Sequence, residues 1–152
     1  LMRAPTRTRE PVSECRLTRR VQFYETDAAG IVHFSWYFRY MEEAEHARWR
    51  AAGLSVMEPE SDIGWPRVAA SFEYHRALRF EEEFEVRLQV AAIGQKTLRF
   101  TCVLTRDGVR IATGALTVAC VRHRPGEPMK GIPIPPEIAG RFQVAPGADA
   151  DA

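Results

Sequence analysis

The chain has 152 residues, with 21 Lys plus Arg against 20 Asp plus Glu and a formal charge of +1. With 45% apolar and 10% aromatic residues it can bury one real core without disulfides or metal, and it is too apolar to stay disordered. The even charge balance excludes a nucleic-acid binder that works by bulk electrostatics, and no apolar run approaches the ~20 residues of a membrane span. The opening LMRAPTRTREPVSE lacks the apolar stretch of a secretory signal, so a cytoplasmic protein is expected. Cys15, Cys102 and Cys120 are odd in number and lie in apolar-alternating stretches, which reads as reduced core cysteines.

Residues 1–14 and 143–152 are expected to be flexible tails around one domain at 15–142, because neither end carries enough apolar side chains to offset its ordering entropy. Cys15, Leu17, Val21 and Phe23 alternate with polar residues over 15–24, the period of a strand, interrupted only by Arg19. From Ser35 to Ala52 the spacing turns helical, with Tyr37, Tyr40, Met41, Ala44, Ala47 and Ala51 recurring every three or four residues. Ser35 is placed to cap the helix through its hydroxyl, and Gly53 to stop it. SVMEPESDIGWP then reads as an irregular connection.

Three half-buried strands follow, on Val68, Ala70, Phe72 and Tyr74, then Phe84 to Ala92, then Leu98 to Leu104. Gly94-Gln95 and Asp107-Gly108 between strands suit positive-φ hairpin turns, so an antiparallel meander is expected. A last strand, Val109 to Val121, is apolar or small on both faces and reads as central, and PIPPEI announces a final helical turn. One helix on an antiparallel sheet is an α+β layout, and it leaves apolar surface for a second copy.

The chemistry concentrates in VQFYETDAAGIVHFSWYFRYMEEAE, residues 21–45, where a strand passes through a short loop into the long helix. The first amides of a helix lack intrahelical acceptors and carry the positive end of its dipole, which suits a developing oxyanion. Asp27 lies in that loop, and a carboxylate there is favoured in its ionised form, as a nucleophile or general base requires. Esters and thioesters are the natural targets. An Asp before a helix is also an ordinary turn residue, and spacing alone leaves both readings open.

The string FYETDAAGIVHFSWYFRYMEEAE resembles the signature of the 4-hydroxybenzoyl-CoA thioesterase family of hotdog-fold proteins. The likeness extends more loosely from Cys15 to His123. It implies a curved antiparallel sheet wrapped around the long helix, and subunit pairs with active sites at their interface. It also implies that Asp27 is the nucleophile or base, that the Phe34 amide polarises the thioester carbonyl, and that Gly30, Ile31 and Val32 line the acyl pocket. Tyr37 and Glu42 match recurrent helix positions that suit packing or hydrogen bonding. Relatives often place His or Tyr where this chain has Phe34, and here the histidine comes one residue earlier, at His33, with either a cleft or a surface role. Trp36 stands where Asn or Ser is common.

Coenzyme A carries phosphates, so basic groups are expected at the cleft rim, with Arg122 and Arg124 in the densest cluster and Arg67, Lys96, Arg99 and His123 as further candidates. Trp36, Tyr37, Tyr40, Trp49 and Trp65 could line an acyl pocket, although aromatics at helical spacing are usually core. His46 and His75 have no partners at metal-ligand spacing, no nucleotide or serine-hydrolase motif occurs, and neither metal nor cofactor is expected. Glu81, Glu82 and Glu83 read as a solvated strand edge. The expected activity is hydrolysis of an acyl-CoA or acyl-carrier thioester by a homodimer or a tetramer built as a dimer of dimers. Two rival readings are a non-catalytic acyl-CoA or acyl-carrier binding module and a hotdog dehydratase.

Overall fold

Period-two alternation and one amphipathic helix generate two layers in the computed structural model, which describes residues 11–147. Among the described residues the order is β1 (Glu14–Arg20), a 3-10 turn (Phe23–Glu25), α1 (Trp36–Ala51), β2 (Ile63–Gly64), β3 (Arg67–Tyr74), β4 (Glu83–Ile93), β5 (Thr97–Arg106), β6 (Val109–Ala119), β7 (Val121–Arg122), β8 (Lys130–Gly131) and α2 (Pro136–Ala139). The long strands form one antiparallel sheet in the order β1-β4-β5-β6-β3, and β2-β7-β8 form a second, small one.

Register puts the apolar rows side by side. Val86 faces Leu104, Leu88 faces Cys102 and Val90 faces Phe100, and Phe100 in turn faces Leu116. These side chains are almost wholly buried, packed in one cluster with Tyr37, Tyr40, Met41 and Ala44 of α1. The helix thus lies in the concave face of the sheet. Its last turn ends where Gly53 adopts φ +78°, a conformation that suits glycine. Asp107 and Gly108, at φ 50° and 76°, make the β5–β6 hairpin turn. Among the described residues no helix is long and apolar enough to cross a membrane.

Several expectations need correction. Strand β1 stops at Arg20, and residues 23–25 coil because the Glu25 carboxylate accepts the Gln22 N–H at 2.8 Å, leaving Phe23 75% exposed. Ser35 sits at the helix start, but its hydroxyl caps no amide and meets Nδ1 of His33 instead. Ala51 is exposed, and the buried stripe beyond Ala44 runs through Glu45, Arg48, Trp49 and Ala52. In β3 only Phe72 is even half-buried, because the strand lies at the sheet margin. Gly94 does not supply a positive φ; a Cβ there would come within 2.9 Å of Thr97 Oγ1, so the turn needs its small size. The last long strand breaks at Cys120, whose N–H turns to Lys96 O while Val121 leaves to pair with β2 and β8.

Hydrogen bonding extends past the expected 15–142 limits. Gln143 donates to Val12 O and Ala145 to Val90 O, and Ala145 is buried against Ala91. What was expected of residues 1–10 and 148–152 lies outside the described residues. All three cysteines are free thiols; Cys102 and Cys120 are buried and Cys15 is half-buried.

Arg48 is an unusual core residue. It is fully buried, its three guanidinium nitrogens find no hydrogen-bond partner among the described residues, and its charge rests 4.4 Å above the Phe142 ring. Burial pulls its pKa down to about 10. A cation–π contact recovers only part of the desolvation cost of a lone buried charge. Arg48→Met, of similar length and no charge, is expected to raise stability by about 1–3 kcal/mol, read as a higher thermal midpoint. A lower midpoint would show that the contact with Phe142 outweighs desolvation.

Candidate active site

The loop between β1 and α1 is closed on itself. Asp27 N–H donates to Ile31 O and Gly30 N–H to Asp27 O, both at 2.9 Å, and Thr26 bridges Val32. Gly30 takes φ +78° to allow the turn. Beneath the loop Glu25 is fully buried: its carboxylate accepts from Arg19 at 2.6 Å as well as from Gln22 N–H, and its carbonyl accepts the His33 N–H at 2.9 Å. One buried residue therefore ties the entry of the loop to its exit. A further bond, Val32 N–H to Leu78 O at 2.8 Å, fastens the loop to the segment that follows β3.

That fastening creates a cavity of about 370 Å³ lined by Asp27, Ile31, Val32, Phe34, Tyr37, Tyr74, His75, Arg76 and Ala77. Asp27 is exposed, and one oxygen, Oδ1, accepts the Ala29 N–H at 2.9 Å. The Phe34 carbonyl accepts from the Tyr74 hydroxyl at 2.9 Å, while its N–H has no acceptor among the described residues. Tyr37 is buried at the back, its hydroxyl pushed up to about 12 by burial and by neighbouring Tyr74, so it stays a neutral donor at ordinary pH. Asp27, Phe34 with an N–H uncommitted among the described residues, and the apolar Ile31, Val32 and Ala77 thus line one space.

The expected site residues separate into groups. Asp27, Ile31, Val32, Phe34 and Tyr37 share the cavity, and Gly30 shapes the turn beside it. His33 does not line it; its Nδ1 lies 2.8 Å from Ser35 Oγ and 3.3 Å from Ser35 N, and its ring lies 4.5 Å from that of Phe34. Arg122 at the end of β7 and Arg124 just beyond it stand apart from the cavity, and both pair with Asp62, at 3.3 and 3.0 Å. The hydrogen bond from Arg124 holds the Asp62 carboxyl below its usual range. Arg67 is likewise engaged, with Glu45 and Glu42. Of the aromatic set only Tyr37 reaches the cavity: Trp49 packs between Trp65 and Phe142, and Trp36 packs against Tyr24 and Tyr40.

Tyr74, His75, Arg76 and Ala77 were not singled out as a group by the sequence reading. The N–H groups of His75 and Arg76 both point to Ile111 O, at 2.8 and 3.1 Å, a doubled contact that lifts the chain off the sheet toward the Asp27 loop. The alternation of Phe72 and Tyr74 runs only to the end of β3, and the doubled contact at Ile111 O breaks it before Arg76, so no spacing in the sequence marks this wall. Among the described residues no three His, Cys, Asp or Glu side chains converge as metal ligands.

Comparison with known proteins places this geometry. Residues 21–142 match the thioesterase-like superfamily. The chain is 31% identical to a hypothetical protein from Aquifex aeolicus of known crystal structure, covering 84% of this chain and 98% of that one with a TM-score of 0.77. It is 28% identical to the 1,4-dihydroxy-2-naphthoyl-CoA hydrolase of Synechococcus elongatus over 74% of this chain and 85% of the relative. Its fold is that of 4-hydroxybenzoyl CoA thioesterase, with a TM-score of 0.76 at 16% identity over 87% of this chain and all of the other. The hotdog architecture implied by the loop signature is therefore the observed one.

Because Glu25 is sealed from water, its removal should be felt through the whole loop. Glu25→Gln is expected to cost about 2–4 kcal/mol by leaving the inner face of Arg19 unpaired, measured by denaturant unfolding. Arg19 also pairs with Glu43, which argues for the lower half of that range. A loss under 0.5 kcal/mol would show that the loop does not depend on the carboxylate.

Proposed function

This chain belongs to the thioesterase-like superfamily, thioester hydrolases of the hotdog fold, and from that premise we propose that it hydrolyses an acyl-CoA to a free carboxylate and coenzyme A through Asp27. The observation that carries the reading is the shared cavity, whose lining includes Asp27 and Phe34 together with the apolar Ile31, Val32 and Ala77. The thioester carbonyl oxygen receives the Phe34 N–H, which has no other acceptor among the described residues. Two routes use Asp27 with balanced atoms. As a base it takes a proton from water, the hydroxide oxygen bonds to the carbonyl carbon, the C–S bond breaks, and the proton passes to the departing thiolate. As a nucleophile its oxygen bonds to the same carbon, the thiolate leaves, and water then cleaves the anhydride. Ile31, Val32 and Tyr37 hold the acyl group, and Gly30 lets the loop turn close to it.

A second reading rests on the Ala29 N–H held by Asp27 Oδ1, the bond a turn residue makes, and describes a module that binds an acyl thioester without cleaving it. Thiol release from short, long and aromatic acyl-CoAs separates the two. Asp27→Asn keeps the turn bond through its amide oxygen but loses the charge, and is expected to reduce turnover by at least 10³-fold with the fold intact. Wild-type rates in a folded Asp27→Asn protein would remove Asp27 from the chemistry.

We also infer a homodimer, assembled in turn as a dimer of dimers. Strand β3 ends the sheet, no strand pairs its outer side among the described residues, and Val68 and Tyr74 on it are 59% and 45% exposed. Sedimentation at micromolar concentration should show multiples of the chain mass. A single-chain species would overturn this.

A further inference from the structure

Hydrolysis at this site adds negative charge to a cavity that already holds a carboxylate. The tetrahedral intermediate carries an oxyanion, the departing sulfur becomes a thiolate, and the product is a second carboxylate beside Asp27. One backbone amide is a modest counterweight, and like charges at close range raise the barrier. The cavity wall contains one arginine, Arg76. Its side chain makes no hydrogen bond or ion pair among the described residues, with Asp27 or any other carboxylate. Three of the basic residues expected to serve the substrate are in contrast already engaged, Arg67 with Glu45 and Glu42, and Arg122 and Arg124 with a shared Asp62. An arginine that shares a cavity lining with an aspartate and has no ion pair among the described residues is a charge held in reserve.

Its position is set by the backbone. The paired N–H bonds of His75 and Arg76 to Ile111 O end β3 at a fixed point, and the Val32–Leu78 bond holds the following residues against the Asp27 loop. His75 is drawn toward β6, where Nε2 lies 3.0 Å from Thr113 Oγ1. Arg76 instead lines the cavity together with Tyr74 and Ala77.

We propose that Arg76 supplies the positive charge that offsets the oxyanion and the departing thiolate during thioester cleavage, acting on the reacting centre rather than on a particular acyl group. This rests on the hydrolase reading of the same cavity. An exposed guanidinium acts through partly screened field, so its contribution is expected to be smaller than that of a buried oxyanion donor and sensitive to salt.

The test compares wild type with Arg76→Gln and Arg76→Lys on hexanoyl-CoA and benzoyl-CoA, whose acyl groups are neutral, and on glutaryl-CoA, whose acyl group ends in a carboxylate. Arg76→Gln is expected to lower kcat about 10- to 100-fold on all three with KM changed less than about threefold. Arg76→Lys should recover much of the loss, and the gap between wild type and Arg76→Gln should narrow as salt rises from 20 to 500 mM, as charge–charge action requires. Thermal midpoints should not move, since the side chain has no partner to lose. Unchanged kcat in Arg76→Gln, or a loss confined to glutaryl-CoA and expressed in KM, overturns the proposal; the latter would make Arg76 a reader of acidic acyl groups. If wild type itself releases no thiol from any acyl-CoA, the hydrolase reading fails, a result distinct from active wild type with active variants.

Discussion

The buried Glu25 carboxylate is the constraint on which the site geometry rests. A carboxylate without access to water must have its oxygens occupied, and here one accepts from Arg19 of β1 and the other from Gln22 N–H. Those bonds end β1, start the 3-10 turn and leave the Glu25 carbonyl facing inward, where it takes the His33 N–H. The loop carrying Asp27 is therefore fixed at both ends by one residue. Glu45 plays a matching part on the other side of the helix, where it is fully buried between Trp49 Nε1 and Arg67 of β3. Two buried acids, each with an arginine from a strand, pin α1 and its preceding loop against opposite margins of one sheet.

Much of this frame was legible in the sequence because it follows from local periodicity. The helix over 36–51, the strands from Phe84 to Leu104 and the Asp107-Gly108 turn depend on patterns within a few residues of each other. The errors came where a distant partner decides the outcome. Arg19 looked like a break in strand alternation, and it faces inward because Glu25 awaits it across the turn. Glu45 and Arg48, which the apolar stripe of the helix left out, are both sealed in the core. Cys120 continues the alternation of β6, yet its N–H bonds to Lys96 and hands the chain to another sheet.

The loop half of the proposed site was readable for the same reason, since Asp27 to Tyr37 is a contiguous string. The other half comes from Tyr74 to Ala77, far downstream in the chain, and meets the loop through the Val32–Leu78 bond, the Tyr74 hydroxyl on the Phe34 carbonyl and the Tyr37–Tyr74 ring contact. No local spacing announces that meeting. Charge clustering misled in a related way. Arg122 and Arg124 form the densest basic group in the sequence, but both meet Asp62, whereas Arg76 lines the cavity with no ion pair among the described residues. What decides whether an arginine is available is the carboxylate inventory around it in space.

Strand β3 links this cavity to the rest of the fold and to any second copy. It reaches its neighbour closely because Gly114 lies opposite Phe72, where a Cβ would stand 2.7 Å from the ring. That approach lets Phe72 pack against Tyr37 and Phe38 of α1, and lets Tyr74 reach the Phe34 carbonyl. The peptide following that carbonyl leads into the first turn of α1, so the outermost strand orients the helix start as well as supplying one wall of the cavity. A strand that pairs with the open side of β3 would therefore stiffen the wall and the helix start together, which makes assembly and the alignment of the Phe34 amide two consequences of the same backbone.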